Sequence, residues 1–195
     1  MKSRNLIVIV VIAFILILGG CGCSGYNSIV TLDQETKNSW AKVEGAYQRR
    51  MDIFKNVERT VTEAANYEKS TLEAVVKARA EATQIKVDIN DPKSIEAYQK
   101  AQDNLNSSFS RLIASFEQYP NLKATDAYRD FQTEISGTEN RINVARNDFS
   151  NSVNAYNVKI KTFPNNLFAS LFGFKEKAYY KAQEGAENAP DVFKK

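Results

Sequence analysis

The sequence predicts an all-α protein, an antiparallel up-and-down four-helix bundle behind an N-terminal membrane anchor. Three observations predict this class. Apolar side chains recur at helical spacing almost everywhere after Ser28, no stretch alternates with a period of two, and a long apolar run begins at Leu6. The 195 residues leave room for one domain behind the anchor. We divide the chain into an anchor at residues 1–25, a helical domain at 26–184 and a flexible tail at 185–195.

The anchor contains thirteen strongly apolar residues, Leu6 to Leu18, and Lys2 and Arg4 precede them. This length fits the apolar core of a secretory signal and falls short of the ~20 residues that cross a bilayer. The small residues up to Cys23 extend the run enough to span a thin or locally compressed bilayer. A single-pass anchor with the domain outside the cytoplasm is therefore one interpretation.

The second interpretation is a lipoprotein. Leu18, Gly19 and Gly20 precede Cys21 in a pattern that resembles a bacterial lipobox, in which small residues let a peptidase reach the bond before an acylated cysteine. Cys21 is therefore the candidate lipidation site. Both routes leave the domain tied to a membrane, and both disfavour a freely secreted protein.

Composition excludes several classes of partner and site. Removing Lys2 and Arg4 from the 26 basic residues leaves 24 against 23 acidic ones, so the domain carries a net charge of only +1. This near-neutral balance argues against a nucleic-acid partner. The two cysteines lie beside the anchor, so the domain has neither a disulfide framework nor a thiolate metal site. The domain must be held together by its apolar core.

A first apolar stripe at helical spacing runs through the beginning of the domain. It is interrupted by Arg50 and Glu68. We favour long side chains that extend along the edge of the stripe toward water, with a buried ion pair to another helix as the alternative. The stripe comprises Trp40, Val43, Tyr47, Phe54, Val57, Val61, Leu72 and Val75.

Two further helices follow. Asp91 and Pro92 supply an N-cap and a proline at the first helical position, and the helix they start stops at Tyr119 and Pro120. The positions of its seam alternate by three and four, as in a coiled coil. They are Ile95, Tyr98, Gln102, Leu105, Phe109, Leu112, Phe116 and Tyr119. The next helix spans about residues 125–162, with Gly137 as its weak point, and uses Phe131, Ile135, Ile142, Ala145, Phe149, Val153, Tyr156 and Ile160.

The segment from Phe163 to Phe174 packs many apolar side chains into a short stretch. We interpret it as a short helix that caps the bundle. The alternative is a docking patch for a protein partner or for the membrane surface. The candidate docking residues are Phe163, Pro164, Leu167, Phe168, Leu171, Phe172 and Phe174.

The sequence offers no plausible catalytic set. It contains no histidine, which removes the commonest general base and every Ser-His or Cys-His arrangement. Ser39 to Lys42 match the S-x-x-K spacing without the other motifs of serine acyltransferases. Gly20, Gly22 and Gly25 match G-x-G-x-x-G with no strand around them, which indicates chance. We predict no enzyme activity, catalytic residue, metal or cofactor.

Several blocks resemble the LemA family of bacterial membrane-anchored proteins. They include YQRRMDIFKNV at 47–57, YEKSTLEAVVKAR at 67–79 and, most specifically, AYNVKIKTFPNNLFASLFGF at 155–174. The resemblance implies an N-terminal membrane segment, an extracytoplasmic four-helix domain and no established enzymatic activity. The family pattern usually has a proline at the position of Lys55, which splits the first long helix. The resemblance therefore predicts a break near Asp52, although this chain lacks that proline.

Two functions remain open from the sequence. The favoured one is a tethered, non-catalytic bundle that binds an envelope protein as a scaffold or adaptor. The alternative is a module that recognises a lipid or a cell-wall component in a groove between helices.

Overall fold

The computed structural model describes residues 2–63, 69–116 and 126–180. Within these ranges the chain forms helices and no strand, so the predicted all-α class is confirmed. The predicted flexible tail at 185–195 lies outside the described residues. The helices are α1 (Lys2–Glu63), α2 (Lys69–Gln84), α3 (Pro92–Ser115), α4 (Asp126–Lys161) and α5 (Asn165–Phe172).

The predicted break of the first helix near Asp52 is wrong. α1 continues through this position to Glu63, and the Asp52 carboxylate accepts a hydrogen bond from Gln48 Nε2 at 3.1 Å within the same helix. The helix continues because buried Phe54 and Val57 extend the apolar stripe, and because Lys55 is a residue that helices accept readily. Residues 2–63 therefore form one uninterrupted helix.

α1 and α4 pack against each other in opposite directions. Thr36 Oγ1 donates to the Ser152 carbonyl at 3.4 Å, and the ring centroids of Trp40 and Phe149 lie 5.0 Å apart. Farther along α1, the Arg50 guanidinium pairs with a carboxylate of α4. Residue numbers therefore rise along α1 as they fall along α4, which places the end of α4 beside Ile29 in the first half of α1.

α2 returns along the C-terminal half of α1. Arg79 Nη1 lies 3.1 Å from Glu58 Oε2, and Thr83 Oγ1 lies 3.6 Å from Met51 Sδ. All four long helices contribute to the apolar cluster at this end, where the rings of Phe54 and Phe109 stack 3.6 Å apart. Its buried members are Met51, Ile53, Phe54, Val57, Val75, Ala78, Ala82, Leu105, Phe109, Leu112 and Phe116.

A second cluster lies closer to the N-terminal end of α1 and joins α1, α3, α4 and the C-terminal segment. Its buried members are Trp40, Val43, Tyr47, Ile89, Ile95, Tyr98, Ile142, Ala145, Phe149, Val153 and Tyr180. These two clusters account for most of the apolar positions predicted from the sequence. Within the described residues, helical spacing identified the core correctly.

The start of α3 is as predicted. Asp91 Oδ1 accepts a hydrogen bond from the Lys93 backbone N–H at 2.9 Å, and Pro92 occupies the first helical position. The preceding turn is held by Asp88, whose Oδ1 accepts from the backbone N–H of Asn90 at 2.9 Å. α4 also continues without interruption through Gly137.

Arg50 contradicts the favoured interpretation of the first stripe. Its side chain is 7% exposed and forms an ion pair with Glu139 of α4, so it does not extend into water. The ion pair to another helix that we left as the alternative is confirmed, with Arg50 buried and Glu139 partly exposed, because α4 places this carboxylate beside Arg50. Glu68, the other interruption of the stripe, lies outside the described residues.

Candidate docking surface and C-terminal strap

α5 is delimited by residues that begin and end helices. The α region is disfavoured for a residue that precedes proline, so Phe163 and Pro164 separate α5 from α4. At the other end Gly173 has a φ of 75°, in the left-handed region that glycine adopts without strain. The backbone N–H of Phe174 donates to the Ala169 carbonyl at 2.9 Å and so closes the helix end.

The inner face of α5 packs on α1 along its residues 22–29. Ala169 is buried in a third cluster with Ile29, Tyr156 and Ile160. The Phe168 ring lies over Gly22, where an added Cβ would stand 3.0 Å from Phe168 Cε1.

An added Cβ at Gly25 would stand 2.8 Å from Asn165 Oδ1. Gly22 and Gly25, two of the three glycines in the chance G-x-G-x-x-G match, therefore permit the close approach of α5 to α1. The sequence could have identified Gly22 and Gly25 as packing positions only if α5 were already known to cover them.

The outer face of α5 is apolar and exposed. Phe163 is 76% exposed, Leu167 61%, Leu171 75% and Phe172 55%. We call these four residues the outer face. Leu167 and Leu171 lie two positions before and after Ala169, so they project from the side of the helix opposite this buried residue.

The structure divides the seven predicted docking residues. Pro164 is exposed beside the outer face, whereas Phe168 and Phe174 turn inward toward α1. The Tyr26 ring lies 4.8 Å from Phe172 and 5.7 Å from Phe174. The segment is thus a capping helix with one apolar surface left uncovered by the described part of the chain.

After α5 an extended segment, residues 174–180, runs back along the domain, and we call it the strap. Asn157 of α4 holds its backbone with two hydrogen bonds. The Lys177 N–H donates to Asn157 Oδ1 at 2.9 Å, and Asn157 Nδ2 donates to the Lys177 carbonyl at 2.9 Å. The Ala178 N–H donates to the Ile89 carbonyl at 3.4 Å. The strap therefore fastens α4 to the connection between α2 and α3.

Lys177 is a buried cation at the centre of the strap, with a side chain only 2% exposed. Its Nζ lies 2.6 Å from Asp33 Oδ1, donates to Asn90 Oδ1 at 3.1 Å and stands 4.8 Å from the centre of the Tyr156 ring. One side chain thus joins α1, the α2–α3 connection and α4.

The charges around Lys177 change the pKa of its neighbours. Burial acts to raise the pKa of Asp33, but the hydrogen bonds and charges of Lys177 and Lys37 outweigh it and leave this pKa below its usual value. Burial and the charge of Asp33 together raise the pKa of Tyr156 to about 12. Tyr156 is therefore a neutral phenol at physiological pH.

The strap ends at a second buried contact. The hydroxyl oxygens of Tyr180 and Tyr47 lie 2.6 Å apart, and the Arg146 guanidinium covers the Tyr180 ring at 4.1 Å. Burial raises the pKa of both hydroxyls, so both remain neutral donors and acceptors. The strap is not predictable from the sequence, because its lysine and tyrosines occur in a polar stretch with no periodic pattern.

Two of the remaining sequence motifs lie in α1. Ser39 to Lys42 form an interior turn of the helix, with Trp40 buried in the core and Lys42 exposed. The backbone of Cys21 is helical, and its side chain lies outside the described part of the structure.

The described residues contain neither a candidate membrane span nor a candidate metal site. No helix there has a stretch both long enough and apolar enough to cross a bilayer. The same residues contain no group of three or more potential metal ligands.

Fold and site together define an all-α protein in which one long N-terminal helix is packed by three others, a capping helix and a buried strap. The sequence model of the LemA family matches residues 39–193, and the chain belongs to this family. The match includes α5 and the strap.

Three relatives illustrate the similarity. The chain is 26% identical to magnetosome protein MamQ 2 of Paramagnetospirillum magneticum, with 95% of this chain and 75% of the relative covered. It is 27% identical to protein LemA of Metamycoplasma hominis, with 81% and 69% covered. It is 25% identical to magnetosome protein MamQ of Magnetospirillum gryphiswaldense, with 86% and 70% covered.

Proposed function

We propose that this protein is a membrane-tethered, non-catalytic scaffold or adaptor of the bacterial envelope. In this proposal residues 1–25 hold the chain in the membrane, as a single-pass anchor or through an acylated Cys21. The four long helices form an up-and-down bundle outside the cytoplasm. The bundle presents a rigid surface to an envelope protein.

The observation that carries the proposal is the continuity of α1. The helix that contains the apolar run also supplies Trp40, Val43 and Phe54 to the core of the domain. An enzyme whose domain moves freely would not need a rigid connection between the anchor and the core of the domain. A scaffold gains from this connection a fixed height and orientation above the membrane. Family membership supports the same proposal through the expectations stated for the LemA resemblance.

The tether is tested by the intact mass of the protein extracted from its native membrane. The mass of the whole chain would support a retained anchor. A mass lowered by residues 1–20 and raised by acyl chains would support a lipoprotein with Cys21 at its N-terminus. A soluble protein of either mass in the supernatant of washed membranes would contradict the tether.

The scaffold role is tested by photo-cross-linking in cells, with the photoreactive residue at exposed Val76 of α2 or Val144 of α4. We expect one of these positions to give a discrete cross-linked envelope protein. The same residue at the fully buried Leu105 is the matched control, because a partner cannot reach it. The absence of any product across a set of such exposed positions would contradict the scaffold.

The alternative of an envelope-ligand module is favoured by a groove between α1 and α2. This depression has a volume of about 470 Å³ and is lined by apolar Met51 and Val76 and by charged Asp52, Lys55 and Arg79. A ligand that binds only the folded state raises the melting temperature. An unchanged melting temperature with lipids and cell-wall fragments would remove this alternative.

A further inference from the structure

We propose that the outer face of α5 is a second membrane contact, which lies in the boundary between headgroups and acyl chains of the bilayer that holds the anchor. The inference rests on the proposed tether and deepens it, because it names lipid as the occupant of the predicted docking surface. The outer face comprises Phe163, Leu167, Leu171 and Phe172, as defined above.

The position of α5 along α1 supports lipid as the occupant. α5 contacts α1 at Gly22, Gly25 and Tyr26, directly after the apolar run that ends at Leu18. At roughly 1.5 Å per residue, Gly22 lies only about 6 Å beyond Leu18 along the helix. A bilayer that contains the apolar run therefore has its surface at the level of α5.

Both routes of tethering give the same level. In a single-pass anchor the small residues from Gly19 to Cys23 lie where the helix leaves the hydrocarbon. In a lipoprotein the acyl chains on Cys21 enter the bilayer one residue before Gly22. The contact between Phe168 and Gly22 holds α5 at the membrane surface in either case.

The orientation of α5 leaves Leu167 and Leu171 exposed on the side of the helix that faces away from the domain. Ala169 packs against Ile29, Tyr156 and Ile160, which close the membrane-proximal end of the domain. Leu167 and Leu171 lie two positions before and after Ala169 and therefore project from the opposite side of the helix, away from the domain.

The composition of α5 fits the membrane boundary. The helix NNLFASLF contains no charged residue, whereas Lys159, Lys161 and Lys175 flank it, with Lys161 paired to Glu176. An apolar face with lysines at its borders is the pattern of elements that lie in the interface plane, about 5–10 Å into the headgroup and acyl boundary. Tyr26 beside Phe172 adds an aromatic side chain of the kind enriched at this depth.

The test measures the depth of α5 in the full-length protein, reconstituted into vesicles of phosphatidylethanolamine and phosphatidylglycerol. Tryptophan is introduced in place of Leu171 (Leu171→Trp) on the outer face. Its emission is compared between ordinary vesicles and vesicles that contain phosphatidylcholine brominated near the top of the acyl chains. We expect brominated lipid to quench this tryptophan.

The chain supplies two controls. The native Trp40 lies about 27 Å beyond Gly22 along α1 at roughly 1.5 Å per residue, so the parent protein should not be quenched. Val144→Trp places the same residue on an exposed site of α4 far from the membrane-proximal end. Leu167→Trp repeats the measurement on the outer face if Leu171→Trp lowers the helical circular dichroism signal.

Vesicle flotation separates this inference from the proposed tether. Quenching of Leu171→Trp but not of Val144→Trp, with both proteins floating, supports the contact. If the proteins float and no variant is quenched by brominated lipid, the contact is overturned and the tether stays intact. A protein partner is then the occupant of the outer face. Proteins that fail to float overturn the tether and this contact together.

Discussion

At the scale of single residues, Lys177 shows how a charge can serve a structural purpose. A lysine is seldom fully buried unless it is paired. Here one carboxylate, one amide oxygen and the face of an aromatic ring surround its ammonium group. The cost of removing this charge from water is offset only while all these partners remain in place. Lys177 therefore makes the position of the strap specific.

Removal of the Lys177 side chain should destabilise the domain more than removal of a surface lysine. Lys177→Ala leaves the partly buried Asp33 without its closest cation, and we expect a loss of about 3 kcal/mol in the free energy of unfolding. Chemical denaturation measures this change. Lys161→Ala is the control, because Lys161 pairs with Glu176 on the surface, where the two side chains are 61% and 59% exposed. Equal effects of the two substitutions would contradict a structural role for the strap.

Asp33 gives a prediction for acid stability. Because its pKa in the folded protein is lowered from 3.8, the ionised carboxylate stabilises the fold at pH values above the unfolded pKa. That contribution is lost as the pH falls through the lowered folded value. The stability difference between the parent and Asp33→Asn should therefore be constant between about pH 5 and 7 and shrink below about pH 4. A difference that stays constant down to acid unfolding would contradict the Asp33–Lys177 pair.

At the scale of helices, α1 is the element on which the resemblance and local physics disagreed. The LemA family pattern predicted a break near Asp52, whereas the residues themselves contain no helix-breaking proline there. The structure agrees with the local sequence, because α1 continues without a break to Glu63. Asp52 is an acceptor within the helix, and Lys55 is exposed on its outer side.

Substitution of Lys55 tests the continuity of α1. Proline in a helix interior removes a hydrogen bond and clashes with the preceding turn, so Lys55→Pro should lower the free energy of unfolding by about 3 kcal/mol or more. Lys55→Ala should be close to neutral, because both residues favour helix and the side chain is exposed. Thermal unfolding followed by circular dichroism measures both. A neutral Lys55→Pro would indicate a break at this position.

At the scale of the whole molecule, the ion pair between Arg50 and Glu139 joins α1 to α4 in the region between the two large apolar clusters. The two side chains are not equally buried. Arg50 is 7% exposed at its side chain, whereas Glu139 is 36% exposed and reaches water. The pair lies between the cluster that contains Trp40 and the cluster formed with α2.

This difference predicts unequal effects of removing either partner. Glu139→Ala leaves a buried guanidinium without its carboxylate and should cost about 3 kcal/mol. Arg50→Met keeps an apolar side chain in the core and leaves a hydrated glutamate, so it should cost about 1 kcal/mol or less. Urea denaturation of the two variants gives the comparison. A larger loss for Arg50→Met would show that packing of the arginine matters more than its charge.

The sequence by itself determined the helical class, most of the core positions and the N-cap at Asp91. It could do so because helical spacing and capping depend on residues within one or two turns of each other. It also identified the apolar segment that contains α5. The four-helix topology, the anchor and the function stay proposals.

Only the tertiary structure decided which side chains of α5 face outward and why Gly22 and Gly25 are small. It also decided that the buried Arg50 pairs with Glu139 and that the buried Lys177 pairs with Asp33. Each of these features depends on contacts between residues far apart in the chain, such as Asp33 with Lys177. A lysine in a polar stretch has no local property that distinguishes a buried partner from a solvated one. The environment of a charge is set by the elements packed around it, and local sequence does not contain that information.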